Sequence, residues 1–322
     1  PMGEFDLIDR FFKRPARRAD LGIGDDCALL SPRPGHQLAV STDMLVEGRH
    51  FLSTVNPARL GHKSLAVNLS DLAACGAEPR AFLLSLSMPR ADEAWLQGFS
   101  QGLLALADAH SCELIGGDTT QGPLNISITV IGDVAQGQAL LRSGAQVGDD
   151  IYVSGTLGDA RLALEAFRGT LGLPEAVFEL CRQRMEQPSP RVALGMALRG
   201  IATAAADISD GLLGDLKHIL SQSKLGAQLQ VNACEQLLAC RGDVALSEQW
   251  LRTCVLSGGD DYELVFTAPV THRGAVLAAA QASATAVTRV GCITAEPTLL
   301  LLDADGQSLP NHFASFDHFA QD

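Results

Sequence analysis

The stretch that most constrains the fold is residues 56–76, which reads NPARLGHKSLAVNLSDLAACG. Asn56 is a favourable N-cap, and Pro57 suits the first helical position, where a missing N–H costs nothing. Gly76 can adopt the left-handed conformation that ends a helix. The stretch therefore predicts a helix of about five turns. Its buried face is predicted to be an apolar stripe of Leu65, Leu69, Leu72 and Ala73.

A second stripe of this helix carries Ser64, Asn68, Asp71 and Cys75, at steps of four, three and four residues. No Lys or Arg stands three or four residues away, so no local ion pair accounts for the Asp71 carboxylate. On a face of small and apolar residues, a carboxylate must be solvated, hydrogen-bonded or bound to a cation. A single such Asp is most simply a partly exposed helix residue, so the rest of the chain must decide between these alternatives.

Composition limits the classes of function. The chain has 322 residues, which favours two domains, and its net charge of −13 with no basic run argues against a nucleic-acid or anionic-membrane surface. An acidic protein with a phosphate substrate would need cations to bridge the two. The eight cysteines include no C-x-x-C pair, so they indicate scattered free thiols and a cytoplasmic protein. No apolar run approaches the roughly 20 residues that span a bilayer.

Further oxygen donors lie near predicted strand ends in the first half of the chain. A strand predicted at residues 37–45 contains Ser41, Thr42 and Asp43. A strand predicted at residues 113–115 is expected to end in a Gly-Gly-Asp-Thr-Thr turn, where Gly117 would let a ligand approach the main chain beside Asp118. Asp26 lies in a Gly-Asp-Asp loop, which by itself is ordinary turn chemistry.

The second half repeats this pattern at residues 207–211, Asp-Ile-Ser-Asp-Gly, before a predicted helix. Either Ser209 or Asp210 is expected to cap that helix, which leaves Asp207 without a capping role. The turn at residues 155–159, Gly-Thr-Leu-Gly-Asp, lacks the Lys-Ser/Thr of a P-loop, so a structural turn is favoured there.

These aspartates share a setting beside Gly, Ser or Thr, and few histidines accompany them. A ligand set of carboxylates and hydroxyls favours hard divalent cations, above all Mg²⁺, which usually bridges to substrate phosphates. The pattern therefore indicates phosphoryl or nucleotidyl chemistry, in which the protein mainly positions and neutralises charge. Walker A, kinase HRD and DFG, and GxSxG motifs are absent. Their absence excludes the common classes of phosphotransferase that these motifs identify.

Seven ordered segments carry these residues: GEFDLI at 3–8, LGIGDDCALL at 21–30, STDMLVEGRHF at 41–51, AVNLSDLAACGA at 66–77, LIGGDTT at 114–120, DISDGL at 207–212 and SGGDDYEL at 257–264. Together they resemble the thiamine-monophosphate kinase family of the aminoimidazole-ribonucleotide-synthetase-like superfamily. The resemblance covers nearly the whole chain, and the combination of segments is specific although each segment alone is not.

The resemblance implies an α+β fold of two domains, with mixed and antiparallel sheets covered by helices. Residues 2–137 would form an N-terminal domain that binds ATP and Mg²⁺ and pairs in a homodimer. Residues 138–322 would form a C-terminal α+β domain that completes the active-site cleft. The implied reaction is direct, in-line transfer of the ATP γ-phosphoryl group to thiamine monophosphate, giving thiamine diphosphate and ADP, with several Mg²⁺ ions and no general base.

The resemblance also implies roles for individual residues. The implied Mg²⁺ ligands are Asp26, Ser41, Thr42, Asp43, Asp71, Asp118, Asp207 and Asp210. The implied ATP-binding residues are Gly117, Asp118, Arg142 and Ser209. The implied contacts to thiamine monophosphate are His50, Asp260 and Phe316.

Two positions depart from the family pattern. Position 260 is Asp where the family commonly has Glu, and position 316 is Phe where Tyr or Trp is frequent. Two alternative interpretations stay open. One is another ATP-dependent synthetase of the superfamily, although no Cys or Lys nucleophile of the selenophosphate type stands out near the N-terminus. The other is a non-catalytic protein that binds Mg²⁺ and nucleotide. Neither alternative would form thiamine diphosphate from ATP and thiamine monophosphate, so an assay for this product distinguishes both from the kinase.

Overall fold

The computed structural model describes residues 2–313. The chain divides into two compact units. The N-terminal unit comprises the residues up to 72 together with 77–137, and the C-terminal unit comprises 73–76 together with the residues from 138 onward. No helix in the described part of the chain is both long and apolar enough to cross a lipid bilayer.

The N-terminal unit is a four-stranded mixed sheet with helices. In chain order its elements are α1 (Glu4–Leu7, continued by a π-helical turn at Ile8–Phe12), β1 (His36–Val46), α2 (Pro57–Cys75), β2 (Glu78–Met88), α3 (Glu93–Ala109), β3 (Glu113–Gln121) and β4 (Asn125–Ala135). The strand order is β1–β4–β2–β3. Strand β4 runs antiparallel to β1 and β2, whereas β2 and β3 are parallel.

The structure confirms the predicted helix α2 and both of its ends. The Asn56 side-chain oxygen accepts the Ala58 N–H at 2.8 Å, and Gly76 has a left-handed φ of 67°. The apolar stripe is buried, with Leu65, Leu69, Leu72 and Ala73 each 1% exposed or less. Local capping chemistry and helical periodicity thus define this element.

The two faces of the sheet differ in polarity and in whether other parts of the unit pack on them. On one face, Ile128 and Val130 of β4 are buried with Leu84 of β2. Cross-strand pairing places Ser41 beside Val130 and Asp43 beside Ile128, so both polar residues share this covered face. On the opposite face, β1 exposes apolar side chains that alternate with them.

The C-terminal unit is built on a seven-stranded sheet of order β11–β10–β7–β9–β5–β8–β6. Its strands are β5 (Asp150–Ser154), β6 (Ala204–Ile208), β7 (Gly226–Gln230), β8 (Glu263–Ala268), β9 (Val287–Thr294), β10 (Leu299–Leu302) and β11 (Ser308–Leu309). Its helices are α4 (Asp159–Phe167), α5 (Glu175–Glu186), α6 (Val192–Ala197), α7 (Leu212–Ser223), α8 (Val231–Glu235), α9 (Glu248–Ser257) and α10 (Arg273–Ala282). Among these described strands, only β7 and β10 pair in parallel.

The central strands β5 and β8 and the edge strand β6 of this sheet are buried along their whole length. Strands that are buried on both faces need other elements packed against each face. Side chains of the surrounding helices and of these strands form one apolar core. The predicted α+β class, with mixed sheets covered by helices, is confirmed.

Candidate active site

Helix α2 and strand β1 meet through a side-chain hydrogen bond between two predicted ligands. The Ser41 hydroxyl donates to the Asp71 carboxylate at 2.7 Å. Asp43 lies two residues farther along β1 on the same face, and Asp71, Ser41 and Asp43 are all half-buried. The structure therefore brings these three oxygen donors to one region of the covered face, and it supplies Asp71 with the partner that the sequence of the helix does not.

Thr42 points to the other face of β1. Its hydroxyl donates to the carbonyl of Ile128 at 3.0 Å and accepts from the Thr129 hydroxyl at 3.1 Å. The Thr42 side chain is thus engaged with β4, and the structure does not bring its hydroxyl to the Ser41–Asp71 pair.

The predicted turn at residues 116–120 is wrong, because these residues continue strand β3 to Gln121. Gly117 pairs with Leu84 and Asp118 with Ser85. Gly117 has a φ of 147°, and a Cβ there would collide with the Leu84 carbonyl oxygen. The neighbouring strand therefore requires glycine at this position.

Asp118 lies far from β1 within the sheet. Strands β1 and β3 form opposite edges of the four-stranded sheet. Three strand spacings separate them, or about 14 Å at about 4.8 Å per spacing. The structure does not bring Asp118 beside Asp43.

Asp26 occupies an exposed loop that is closed by backbone hydrogen bonds between Leu21 and Leu29. Residues next to this loop, Ala28 and Leu30, pack against the cluster that contains Ala81. By strand register Ala81 lies on the face opposite to Ser41, so the structure separates Asp26 from the Ser41–Asp71 pair as well.

His50 is half-buried in the loop after β1, and its ring is oriented by the main chain. The Val46 N–H donates to His50 Nδ1 at 2.9 Å. Because Nδ1 accepts this hydrogen bond, the neutral ring carries its proton on Nε2. Phe316, the other predicted contact from an aromatic ring, lies outside the described residues.

In the C-terminal unit, the turn between β6 and α7 is organised by a carboxylate that sequence reasoning missed. Asp215, in the first turn of α7, accepts the N–H groups of Ser209 and Asp210 at 2.9 Å each. The N-cap of α7 is Gly211, without a side-chain cap, so the predicted capping by Ser209 or Asp210 is wrong. Burial raises the pKa of Asp215 to about 7, although the two N–H groups act in the opposite direction.

Charged groups of both signs converge at this turn. Burial lowers the pKa of His218, the positive charge of Arg142 lowers it further and the nearby Asp210 opposes both, so all three residues lie within electrostatic range. Asp207 is buried at the end of β6, three residues before Asp210. The structure therefore brings three residues of the predicted site, Arg142, Ser209 and Asp210, close to one another and to Asp215.

Asp260 is held against the same turn by the main chain. Its N–H donates to the Ser209 carbonyl at 2.7 Å, and the Tyr262 N–H donates to the Ile208 carbonyl at 2.8 Å. Both residues have left-handed backbones, with φ of 63° for Asp260 and 56° for Tyr262. Such conformations are costly for residues other than glycine and tend to occur at functional sites.

The other acidic residues of the 257–264 segment, Asp261 and Glu263, bind other residues of the C-terminal unit. Asp261 is buried and accepts the Gly158 N–H at 3.0 Å, and burial raises its pKa well above the ordinary range. Glu263 accepts from the Ser154 hydroxyl at 2.7 Å and from Arg191 Nη2 at 2.7 Å. Gly155 and Gly158 thus form the structural turn predicted for residues 155–159, because they make room for these contacts.

Across residues 2–313, no three of the predicted carboxylates have oxygens within 4.8 Å of one another. The candidate donors instead form two groups, one in each unit, with Asp26 and Asp118 outside the first group. Like charges repel, so ionised carboxylates stay apart unless a cation lies between them. Oxygen donors alone, as in these groups, are what Mg²⁺ prefers.

Comparison with known proteins places the chain in a family. The AIR synthase related N-terminal domain matches residues 24–134, and the corresponding C-terminal domain matches residues 146–301. The thiamine-monophosphate kinase of Escherichia coli (strain K12) is 45% identical over 322 residues, covering 99% of this chain and 98% of that protein.

Comparison with solved structures identifies the same family. Thiamine-monophosphate kinase from Stenotrophomonas maltophilia K279a is 46% identical with a TM-score of 0.83, covering 91% of this chain and 92% of its own. AaThiL complexed with AMPPCP and TMP is 26% identical with a TM-score of 0.75, covering 90% and 89%. With such similarity along almost its full length, the chain belongs to the thiamine-monophosphate kinase family of AIR synthase related proteins.

Proposed function

We propose that this protein transfers the γ-phosphoryl group of ATP to the phosphate of thiamine monophosphate, giving thiamine diphosphate and ADP. The observation that carries the proposal is 45% identity to a thiamine-monophosphate kinase along 99% of the chain. AMPPCP is an ATP analogue, so AaThiL with AMPPCP and TMP supports the same pair of substrates. This similarity favours the kinase over the superfamily synthetases and over a non-catalytic nucleotide-binding protein.

The chemistry of the acceptor explains why the proposed reaction requires no general base. A phosphate group is already ionised at neutral pH, so nothing has to remove a proton before it attacks. The obstacle is the repulsion between two anionic substrates, which must be brought into line. Ser41, Asp43 and Asp71 in one unit, and Asp207 and Asp210 in the other, supply oxygen donors that suit cations rather than proton transfer.

Mg²⁺ fits these oxygen donors, and several ions are proposed. When bound, the ions neutralise charge on the phosphates and favour in-line attack. The residues that would hold them are Asp26, Ser41, Thr42, Asp43, Asp71, Asp118, Asp207 and Asp210. For Thr42, whose hydroxyl is engaged by β4, this assignment is the least direct.

The turn between β6 and α7 is the proposed nucleotide contact. The guanidinium of Arg142 can donate to phosphate oxygens, and Asp215 fixes the backbone of Ser209 and Asp210 that would face them. Gly117 and Asp118 are the proposed nucleotide contacts in the N-terminal unit. His50, Asp260 and Phe316 are the proposed contacts to thiamine monophosphate.

We further infer a homodimer in the cytoplasm. Strand β1 exposes Leu38, Val40 and Met44, which are 46%, 62% and 57% exposed, on the sheet face opposite to Ser41. An apolar row of this kind on an edge strand fits a face that a second copy covers. All eight cysteines are free thiols, which suits a reducing compartment.

The test is product formation by the purified protein from ATP, Mg²⁺ and thiamine monophosphate. Chromatography should find thiamine diphosphate and ADP in equal amounts, and unphosphorylated thiamine should give no product because its hydroxyl would need a base. ADP without thiamine diphosphate would favour a superfamily synthetase. Binding of ATP without turnover would favour the non-catalytic alternative, and either result would overturn the proposal.

A further inference from the structure

A buried group of ligating side chains lies in the C-terminal unit, and it includes no residue named in the proposed reaction. Asp159 is the first residue of α4, Cys181 lies in α5, and Cys240 lies in the loop after α8. Their ligating atoms are all within 4.8 Å of one another, and all three residues are buried. In the described part of the chain, no other set of three acidic, cysteine or histidine side chains is so close.

Two of the three spacings are close to the edges of a tetrahedral metal site, and the third, between Cys181 and Asp159, is within 4.8 Å. The Cys181 and Cys240 sulfurs are 3.9 Å apart, and the Cys240 sulfur is 3.9 Å from an Asp159 oxygen. Zinc–sulfur bonds of about 2.3 Å and zinc–oxygen bonds of about 2.0 Å place ligand atoms about 3.8 and 3.5 Å apart at tetrahedral angles. The observed separations differ from these edges by only a few tenths of an ångström.

We propose that Asp159, Cys181 and Cys240 form a buried binding site for a zinc-class divalent cation. Two thiols exclude Mg²⁺, which takes oxygen ligands, and the carboxylate favours Zn²⁺ over Cu⁺. Three protein ligands leave one tetrahedral position for a water molecule or a further side chain.

Charge around the site is compatible with a cation. On binding, each thiol releases its proton to solvent, and two thiolates with one carboxylate face the divalent ion. The positive charge of Arg184 also reaches Asp159 and opposes the effect of burial, which raises the pKa of that carboxyl. A bound divalent ion would offset two of the three negative charges of its ligands, and Arg184, which also donates to Glu263 at 3.3 Å, lies within electrostatic range of Asp159.

The bound ion would join three segments that no shared sheet connects. Two S–H contacts of 3.9 Å are the links between these side chains in their protonated form, and such contacts are weak. A metal site would replace them with coordinate bonds and tie α4 and α5 to the loop at Cys240. Because the site is closed, the ion would enter during folding.

The test is to unfold the full chain under reducing conditions and refold it with Co²⁺, which reports thiolate ligands by a charge-transfer absorption band. The expected result is one equivalent of Co²⁺ with this band, displaced by Zn²⁺, and one zinc per chain by elemental analysis after refolding with zinc. Cys181→Ser and Cys240→Ser should lose the band. Cys234→Ser, at a buried thiol of the same apolar core, is the matched control and should keep it.

Absence of the band in the wild-type chain would overturn the proposal, whether or not the variants fold. So would a band that survives Cys181→Ser, or a Cys181–Cys240 disulfide found by mass spectrometry in protein refolded with zinc under reducing conditions. The readout does not depend on phosphoryl transfer, so failure here leaves the proposed kinase reaction untouched.

Discussion

At the residue scale, the buried Glu263 carboxylate holds in place the chain segment that carries Asp260. It is fully buried and receives the Ser154 hydroxyl and the Arg191 guanidinium, with Arg184 at 3.3 Å. Glu263 begins β8 immediately after Asp260–Tyr262, the segment with two left-handed residues. The buried ion pair therefore anchors the chain at the point where backbone strain is concentrated.

Glu263→Gln is expected to destabilise the fold by about 3–5 kcal/mol, because it leaves two guanidinium groups without their buried partner. The free energy of unfolding from urea titrations measures this. Glu248→Gln is the control, since Glu248 pairs with Arg252 at 2.8 Å but is 71% exposed. The control should change the free energy by no more than about 1 kcal/mol. Similar losses in both variants would contradict the role assigned to Glu263.

Asp150 gives a prediction for the pH dependence of stability. The hydrogen bond from Arg273 lowers the pKa of Asp150, and burial opposes this only in part. A carboxyl whose pKa is lowered by folding stabilises the protein above its unfolded pKa of about 4. That contribution is lost as the pH falls through the folded value. Between pH 7 and pH 3, the Tm advantage of wild type over Asp150→Asn should therefore shrink, whereas a constant gap would refute this assignment.

At the scale of elements, glycines allow α2 and α3 to approach at backbone distance. A Cβ on Gly102 would overlap the Ala58 carbonyl, and a Cβ on Gly61 would overlap the Phe99 carbonyl. The contact fixes α2 on the sheet, and α2 carries Asp71 to Ser41. Close helix packing is thus part of what positions the candidate ligands.

Gly102→Ala is expected to destabilise the protein by at least about 1–3 kcal/mol, because the added methyl group meets backbone that cannot move aside cheaply. Gly274→Ala in α10 is the matched control, since nothing lies within 4 Å of the position that its methyl group would take and alanine favours helix. The control should raise stability by about 0.5–1 kcal/mol. Urea titrations of both variants test the prediction, and equal signs would contradict it.

Local chemistry defines the ends of α2, because Asn56 and Gly76 act on their own neighbours in sequence. The partner of Asp71 could not be predicted in this way, since Ser41 stands on a strand whose contact with α2 depends on tertiary packing. The role of Asp215 could not be predicted for the same reason, because in the sequence it is an ordinary acidic residue in the first turn of a helix. Its two N–H partners become visible only when the turn after β6 is folded.

Gly117 is a case where the residue pattern misled. Two glycines before a carboxylate are typical of a turn that binds a ligand, yet β3 runs straight through them. The requirement for glycine comes from the Leu84 carbonyl of the adjacent parallel strand. The sequence alone does not reveal the neighbouring strand, so the pattern predicted a turn where β3 continues.

At the scale of the whole molecule, the exposed apolar row of β1 underlies the proposed homodimer. Val40→Lys is expected to reduce the dimer fraction measured by light scattering after size exclusion, because it places a charge in the contact. Val147→Lys is the control, since Val147 is 59% exposed in the C-terminal unit. A wild-type monomer, or an equal effect of both variants, would contradict the proposed face.

The central claim is that carboxylates such as Asp71 bind the magnesium that lets two anionic phosphates react. The most direct measurement is kcat of Asp71→Asn at saturating Mg²⁺, with the fold checked by circular dichroism and Asp305→Asn, an exposed loop variant, as control. The account predicts a loss of more than about 100-fold, beyond the usual range for groups that only orient a ligand. A folded Asp71→Asn protein with near-normal kcat would contradict it.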